Sequence, residues 1–168
     1  MKTLRRFFIL LFFTFVGLSS AQDYGNVNFE KGYYYVVVKN VKFEAVNTIL
    51  QGEIKSHKWG VIHTINVDKS THSPVPHKTY LLCRSDYLER GIRFNKNVIS
   101  VVIPCRISIY QDGNNVKILV EDVEGYSNMF GIEDTMFKSF LAQISEEMKS
   151  ILQNTADRFH KKQNFPNM

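Results

Sequence analysis

Two runs of alternating residues, joined by a turn rich in glycine and asparagine, constrain this chain more than anything else in it. Cys105, Ile107 and Ile109 fall on one side of the first run, and Arg106, Ser108 and Tyr110 on the other. In the second run Val116, Ile118 and Val120 oppose Lys117, Leu119 and Glu121. A period of two with β-branched residues predicts half-buried strands. The linking Gln111-Asp112-Gly113-Asn114-Asn115 tolerates positive φ and suits a hairpin loop of three to five residues. Pro104 cannot donate to a ladder, so it belongs at a strand start or on an edge. A hairpin with one apolar side needs a second layer to cover that side.

The cover is legible in two helical stripes. Met136, Phe137, Phe140, Leu141, Ile144, Met148, Ile151, Leu152, Ala156 and Phe159 recur at threes and fours, predicting a helix over 133–159. Phe43, Val46, Ile49, Leu50 and Ile54 predict an amphipathic helix over 41–55, with Asn40 as its cap. Strands are expected at Tyr33–Val38, Trp59–Val67 and Thr79–Arg84. Residues 68–77 read as a loop, 86–91 as a helical turn, and 94–100 as a connection back to the hairpin. The order is strand, helix, four strands, helix. Both helices must bury their stripes, which gives a two-layer α+β domain: a mostly antiparallel sheet with two helices on one face.

The first residues carry a different signal. Met1-Lys2-Thr3-Leu4-Arg5-Arg6, an apolar run from Phe7 to Leu18 and the small residues Ser19-Ser20-Ala21 have the pattern of a secretory signal peptide. The run is shorter than the roughly 20 residues of a spanning helix, so no membrane span is expected after cleavage. The expected organisation is a signal peptide at 1–21, a leader at 22–32, one domain at 33–160 and a flexible tail at 161–168. The predicted location is exported, periplasmic or secreted. The chain carries 21 basic against 16 acidic residues. Loss of Lys2, Arg5 and Arg6 leaves 18 against 16, a net +2, which does not suggest nucleic acid as a partner.

Cys83 and Cys105 are the two cysteines, both at strand ends. An even count in an exported chain favours a disulfide. Two buried thiols, or a dithiol for redox or soft-metal chemistry, are the other readings. Arg84 and Arg106 each follow a cysteine and would lower a thiol pKa if they folded back, but strand alternation points them to the opposite face. His63, His72 and His77 with Cys83 form a loose metal candidate, while His57 and His160 lack ligand spacing. Glu146, Glu147, Asp122 and Glu124 read as solvated carboxylates. No phosphate loop, nucleophile elbow or other catalytic constellation occurs, and no cofactor is expected.

Three segments resemble the bacterial and archaeal family catalogued as domain of unknown function 302. They are Phe43-Glu44-Ala45-Val46 with Trp59-Gly60-Val61; Leu81-Leu82-Cys83-Arg84-Ser85-Asp86-Tyr87; and Ile103-Pro104-Cys105-Arg106-Ile107-Ser108-Ile109-Tyr110. Arg84-Ser85 stands where the family usually has Asn-Pro, so a divergent branch is expected. The resemblance implies the same strand–helix–four strands–helix fold and a pairing of the two cysteine positions, with Pro104, Arg84 and Arg106 as the supporting corner. It implies no activity. The expected function is therefore an exported, non-enzymatic domain. It would bind a small apolar ligand between helix and sheet, or form a homodimer through a sheet face bearing Tyr33, Tyr35 and Tyr110. The alternative is a thiol-dependent redox or soft-metal-handling role for Cys83 and Cys105.

Overall fold

The hairpin is the middle of the sheet. In the computed structural model, which describes residues 25–163, β5 (Cys105–Asp112) pairs antiparallel with β6 (Asn115–Glu121). The loop is two residues rather than the expected three to five, because Asp112 pairs directly with Asn115 and Gly113 takes φ +57°. That positive φ is what a two-residue hairpin loop needs and what glycine supplies without strain. Pro104 immediately precedes β5, after a cis peptide from Ile103, where its missing N–H costs no ladder bond.

Four further strands extend the sheet: β1 (Asn28–Glu30), β2 (Tyr33–Val38), β3 (Gly60–Asn66) and β4 (His77–Cys83). The order is β1-β2-β6-β5-β4-β3, and every neighbouring pair is antiparallel. β1 lies inside the stretch expected to be a leader. It is held by a two-residue turn in which Lys31 and Gly32 both have positive φ. The expected signal peptide at 1–21 lies outside the described residues, as do His160's side chain and the last five residues.

One side of this sheet is apolar in continuous rows. Val36 pairs with Ile118, Ile118 with Ile109, and Ile107 with Val120; Tyr80 pairs with Ile107 and Leu82 with Cys105. All are buried. Helices α1 (Phe43–Ser56) and α5 (Thr135–Gln163) cover them. α1 supplies Phe43, Val46, Leu50 and Ile54; α5 supplies Phe137, Phe140, Leu141, Ile144, Met148, Ile151, Leu152 and Ala156. Helical spacing puts each set on one stripe, and sheet pairing puts its target on one face. The N-cap of α1 is Lys42, with no side-chain cap bond, instead of Asn40, which takes a left-handed φ of +51° two residues earlier. α5 continues through Gln163, three residues into the expected tail.

Two helices were not expected, and a third is longer than expected. α2 (Val67–Thr71) is a single turn between β3 and β4, and α4 (Tyr126–Met129) lies between β6 and α5. The largest difference is α3 (Ser85–Val102), which contains the expected helical turn at 86–91 and continues through the stretch expected as a connection. It is two short helices meeting at Asn95, whose φ −158° and ψ 104° are extended. The Asn95 side-chain oxygen accepts from the backbone N–H groups of Asn97 and Val98, both at 3.1 Å, and so caps the second half. Tyr87, Ile99 and Val102 carry α3 into the same core.

Candidate functional site

The register decides the fate of the two cysteines. Leu82 is the partner of Cys105, so both point to the helix side. Cys83 is the next residue, at the end of β4, where it is half-buried and packs against the edge of the same core. A disulfide needs Cβ atoms roughly 4 Å apart and aimed at each other, and the two thiols are not so joined. Both cysteines are free, Cys105 buried and Cys83 half-buried, which corrects the expected bridge. Burial, with smaller contributions from Glu121 and Cys83, pushes the Cys105 thiol well above its ordinary value, so it stays protonated.

The two arginines are engaged elsewhere. Arg84 donates from Nη1 to Glu147 at 2.6 Å and from Nε and Nη2 to Asp86 at 2.9 and 3.0 Å, while lying over the Tyr87 ring at 4.1 Å. Glu147, expected as a solvated carboxylate, is instead a hub. It accepts from the Trp59 indole N–H at 3.1 Å, from Arg84, and from the Tyr87 hydroxyl. Trp59 and Tyr87 also meet edge to face at 5.6 Å. The cluster ties the entry to β3, the exit of β4, α3 and α5 to one point. Its carboxylate has three donors, so its chemistry is that of a clamp. The partners are separated by 60 or more positions, which no spacing rule reads.

The histidine candidate dissolves in the same geometry. His63 pairs with Leu81, whereas His77 stands four residues along β4, roughly 13 Å away at the strand rise. His77 instead packs against Tyr110, its register partner, at 5.5 Å. Among the described residues no group of three His, Cys, Asp or Glu side chains is placed to hold a metal. The expected apolar cavity between α5 and the sheet has no counterpart among the described residues. Phe140, Leu141, Ile144, Met148, Ile151, Leu152, Ile107, Ile109 and Ile118 are all 0% exposed, whereas a ligand-sized void would leave its lining accessible surface.

What remains is the other side of the sheet, which the covering helices leave free. Strand alternation places Tyr33, Tyr35 and Val37 of β2 there, with Lys117, Leu119 and Glu121 of β6 and Arg106, Ser108 and Tyr110 of β5. Tyr33 and Tyr35 lie 6.0 Å apart. Lys117 crosses both rings, its Nζ 4.0 Å from the Tyr35 centroid and 5.8 Å from Tyr33. Under that lysine Tyr35 is buried at 8% exposure, so it is not the open ring the alternation predicts. The Tyr33 hydroxyl donates to Glu30 at 2.8 Å, and that bond pushes its pKa up to about 12. Arg106 donates to Glu121 from Nε and Nη2 at 3.2 and 2.6 Å and from its backbone N–H at 2.9 Å; the Tyr126 hydroxyl donates to the same carboxylate at 3.0 Å. A cleft of about 320 Å³ opens here between Tyr33, Arg106, Ser108, Leu119, Glu121 and Tyr126.

The comparisons agree with this architecture. A family model described as domain of unknown function DUF302 matches residues 34–155, most of the chain. The chain belongs to the DUF302 family. A crystal structure of an uncharacterised conserved DUF302 protein from Bacillus stearothermophilus is similar at 19% identity with a TM-score of 0.67, over 75% of this chain and 99% of that one. At that identity the likeness shows the DUF302 fold and nothing finer. No curated protein matches the chain. No helix among the described residues is long and apolar enough to cross a membrane.

Proposed function

We propose that this DUF302 chain is an exported, non-catalytic domain whose helix-free sheet face is its working surface, and that a second copy of the chain docks there. The observation that carries the reading is the one-sided cover. α1 and α5 close the Val36–Ile118–Ile109 side, while Tyr33, Lys117, Leu119, Ser108 and Tyr110 are left without a helix. One solvated face is common in antiparallel sheets. Its composition favours a partner like itself. Lys117 and Arg106 are balanced by Glu30 and Glu121 within the face, so a second copy stacked on it meets no net charge. A strongly charged partner would find no such match.

The test is the mass of the purified chain against concentration by light scattering, with Tyr110→Glu on the face. Pairing through the face predicts a dimer that the variant weakens at least tenfold. A wild-type mass that stays monomeric at every concentration removes the reading. The exported location rests on residues 1–21 and is checked by mass spectrometry of the protein recovered from cells, which should begin at Gln22. A small ligand is the second reading, favoured by the cleft at Arg106 and Tyr126. It predicts a bound molecule in native mass spectrometry that Arg106→Ala loses.

A further inference from the structure

The cleft beside the start of β5 has a fixed set of hydrogen-bonding groups left to offer. Glu121 already accepts four hydrogen bonds, three from Arg106 and one from the Tyr126 hydroxyl. Arg106 turns Nε and Nη2 to that carboxylate, and its Nη1 donates to nothing among the described residues. A guanidinium is a rigid plane, so clamping one edge aims the other, and half of the Arg106 side chain stays exposed to be reached. Ser108 Oγ lies 2.9 Å from Thr79 Oγ1 and, with two lone pairs, keeps an acceptor free. Tyr33, Leu119 and Tyr126 supply the apolar lining of the 320 Å³ space. Gly32 lines it too, with φ +89°, and a Cβ there would meet nothing within 4 Å, so that side is open for entry.

We propose that this cleft binds a neutral polyhydroxyl ring, a single sugar unit, whose hydroxyls accept from Arg106 Nη1 and donate to Ser108 while its apolar side lies on the tyrosine and leucine lining. The proposal names the ligand class for the small-ligand reading above and rests on it. Charge selects the class. Around the cleft Arg106 and Lys31 stand against Glu30, Glu121 and Asp122, whose backbone N–H bonds the Gly32 carbonyl, so an anion gains no net attraction. A cation meets the guanidinium and a carboxylate already taken. What the free groups fit is a ligand that accepts at one point and donates at the next, and a hydroxyl does both. The volume is at the small end for ligand pockets, which suits one ring rather than a chain. The cleft is also apart from the Tyr110 end of the face, since Arg106 and Tyr110 are four residues apart on β5, roughly 13 Å at the strand rise.

The experiment is saturation-transfer NMR on the full chain with glucose, galactose and N-acetylglucosamine, and with acetate and phosphate as anionic probes read by their effect on the protein's amide shifts. Arg106→Lys is the variant, because a lysine keeps a cation for Glu121 and removes the Nη1 donor; circular dichroism checks that it folds. The expected result is transfer to at least one of the three sugars, with a Kd that rises at least tenfold in Arg106→Lys. Sugar binding that is unchanged in Arg106→Lys overturns the proposed site. Binding of acetate or phosphate, lost in Arg106→Lys, with no sugar bound, overturns the neutral sugar and leaves the small-ligand reading standing. Binding of none of the five probes overturns the sugar, and a native mass spectrum that also shows no bound molecule overturns the small-ligand reading with it.

Discussion

Gly91 sits directly against Ile99: a Cβ added to Gly91 would lie 2.7 Å from both Cγ1 and Cδ1 of Ile99. On a straight helix residues eight apart are separated by about 12 Å along the axis. The break at Asn95 folds the two halves of α3 together, and glycine is what the crossing admits. Gly91→Ala should therefore destabilise the fold despite alanine's better helix propensity, by about 1–3 kcal/mol for an overpacked core. Ile99→Val removes one of the two clashing atoms, so it should cost less in the Gly91→Ala background than in the wild type. A double-mutant cycle in urea checks this; additive costs would mean the two sites do not touch.

Asp86 gives an acid-side prediction. Its hydrogen bonds from Arg84 hold its carboxyl below the usual carboxylate range. A folded pKa below the unfolded value contributes stability that is present above about pH 3.9 and is lost as pH falls through the folded value. Asp86→Asn should thus lower the melting temperature at neutral pH, with a difference from wild type that shrinks on acidification below pH 4. The pair is exposed on the Asp86 side, so the effect is small. A difference that grows on acidification would contradict the assignment.

The cysteines predict a silent redox response. With Cys83 and Cys105 both free, melting should be unchanged by reductant, and a thiol count on the unfolded chain should return two. In the native state Cys83 should react slowly and Cys105 should not react. Cys105→Ser would bury a hydroxyl in an apolar row, costing about 1–3 kcal/mol, while Cys105→Ala should cost less than the serine if the thiol acts only as a small apolar group. A single reactive thiol lost on oxidation would reverse the view of this pair.

Periodic features of the sequence survived in the structure, and features built from contact between distant segments did not show in advance. The hairpin, β2, α1 and α5 were legible because burial imposes a period of two or 3.6 on the residues themselves. α3 was hidden by the residues that make it work: Gly91 and Asn95 are poor helix formers, yet one admits the crossing and the other caps the second half. β1 was hidden because three residues carry no period. At the candidate face, alternation placed Tyr33, Tyr35 and Tyr110 on the correct side but could not show Lys117 closing over Tyr35. Glu147 looked solvated because its donors arrive from Trp59, Arg84 and Tyr87, far along the chain.

The Tyr87–Glu147 bond yields the most direct test of that hub. Burial first, then the hydrogen bond to Glu147, pushes the Tyr87 pKa up to about 12. A raised folded pKa means that the neutral phenol is favoured in the folded state. The stability it contributes is fully present below the unfolded value of about 10 and is lost as pH rises through the folded value. Wild type should therefore weaken as pH climbs from about 10 towards about 12. Tyr87→Phe keeps the ring against Trp59 and Phe140 but removes the donor. It should cost about 1.5 kcal/mol at neutral pH, the lower range for a hydrogen bond to a charged group, because Trp59 and Arg84 still hold the carboxylate. The cost should fall toward zero in the alkaline window, where the wild type loses the same bond. Urea midpoints of both proteins across that window measure it, and a pH-independent difference would assign Tyr87 to packing alone.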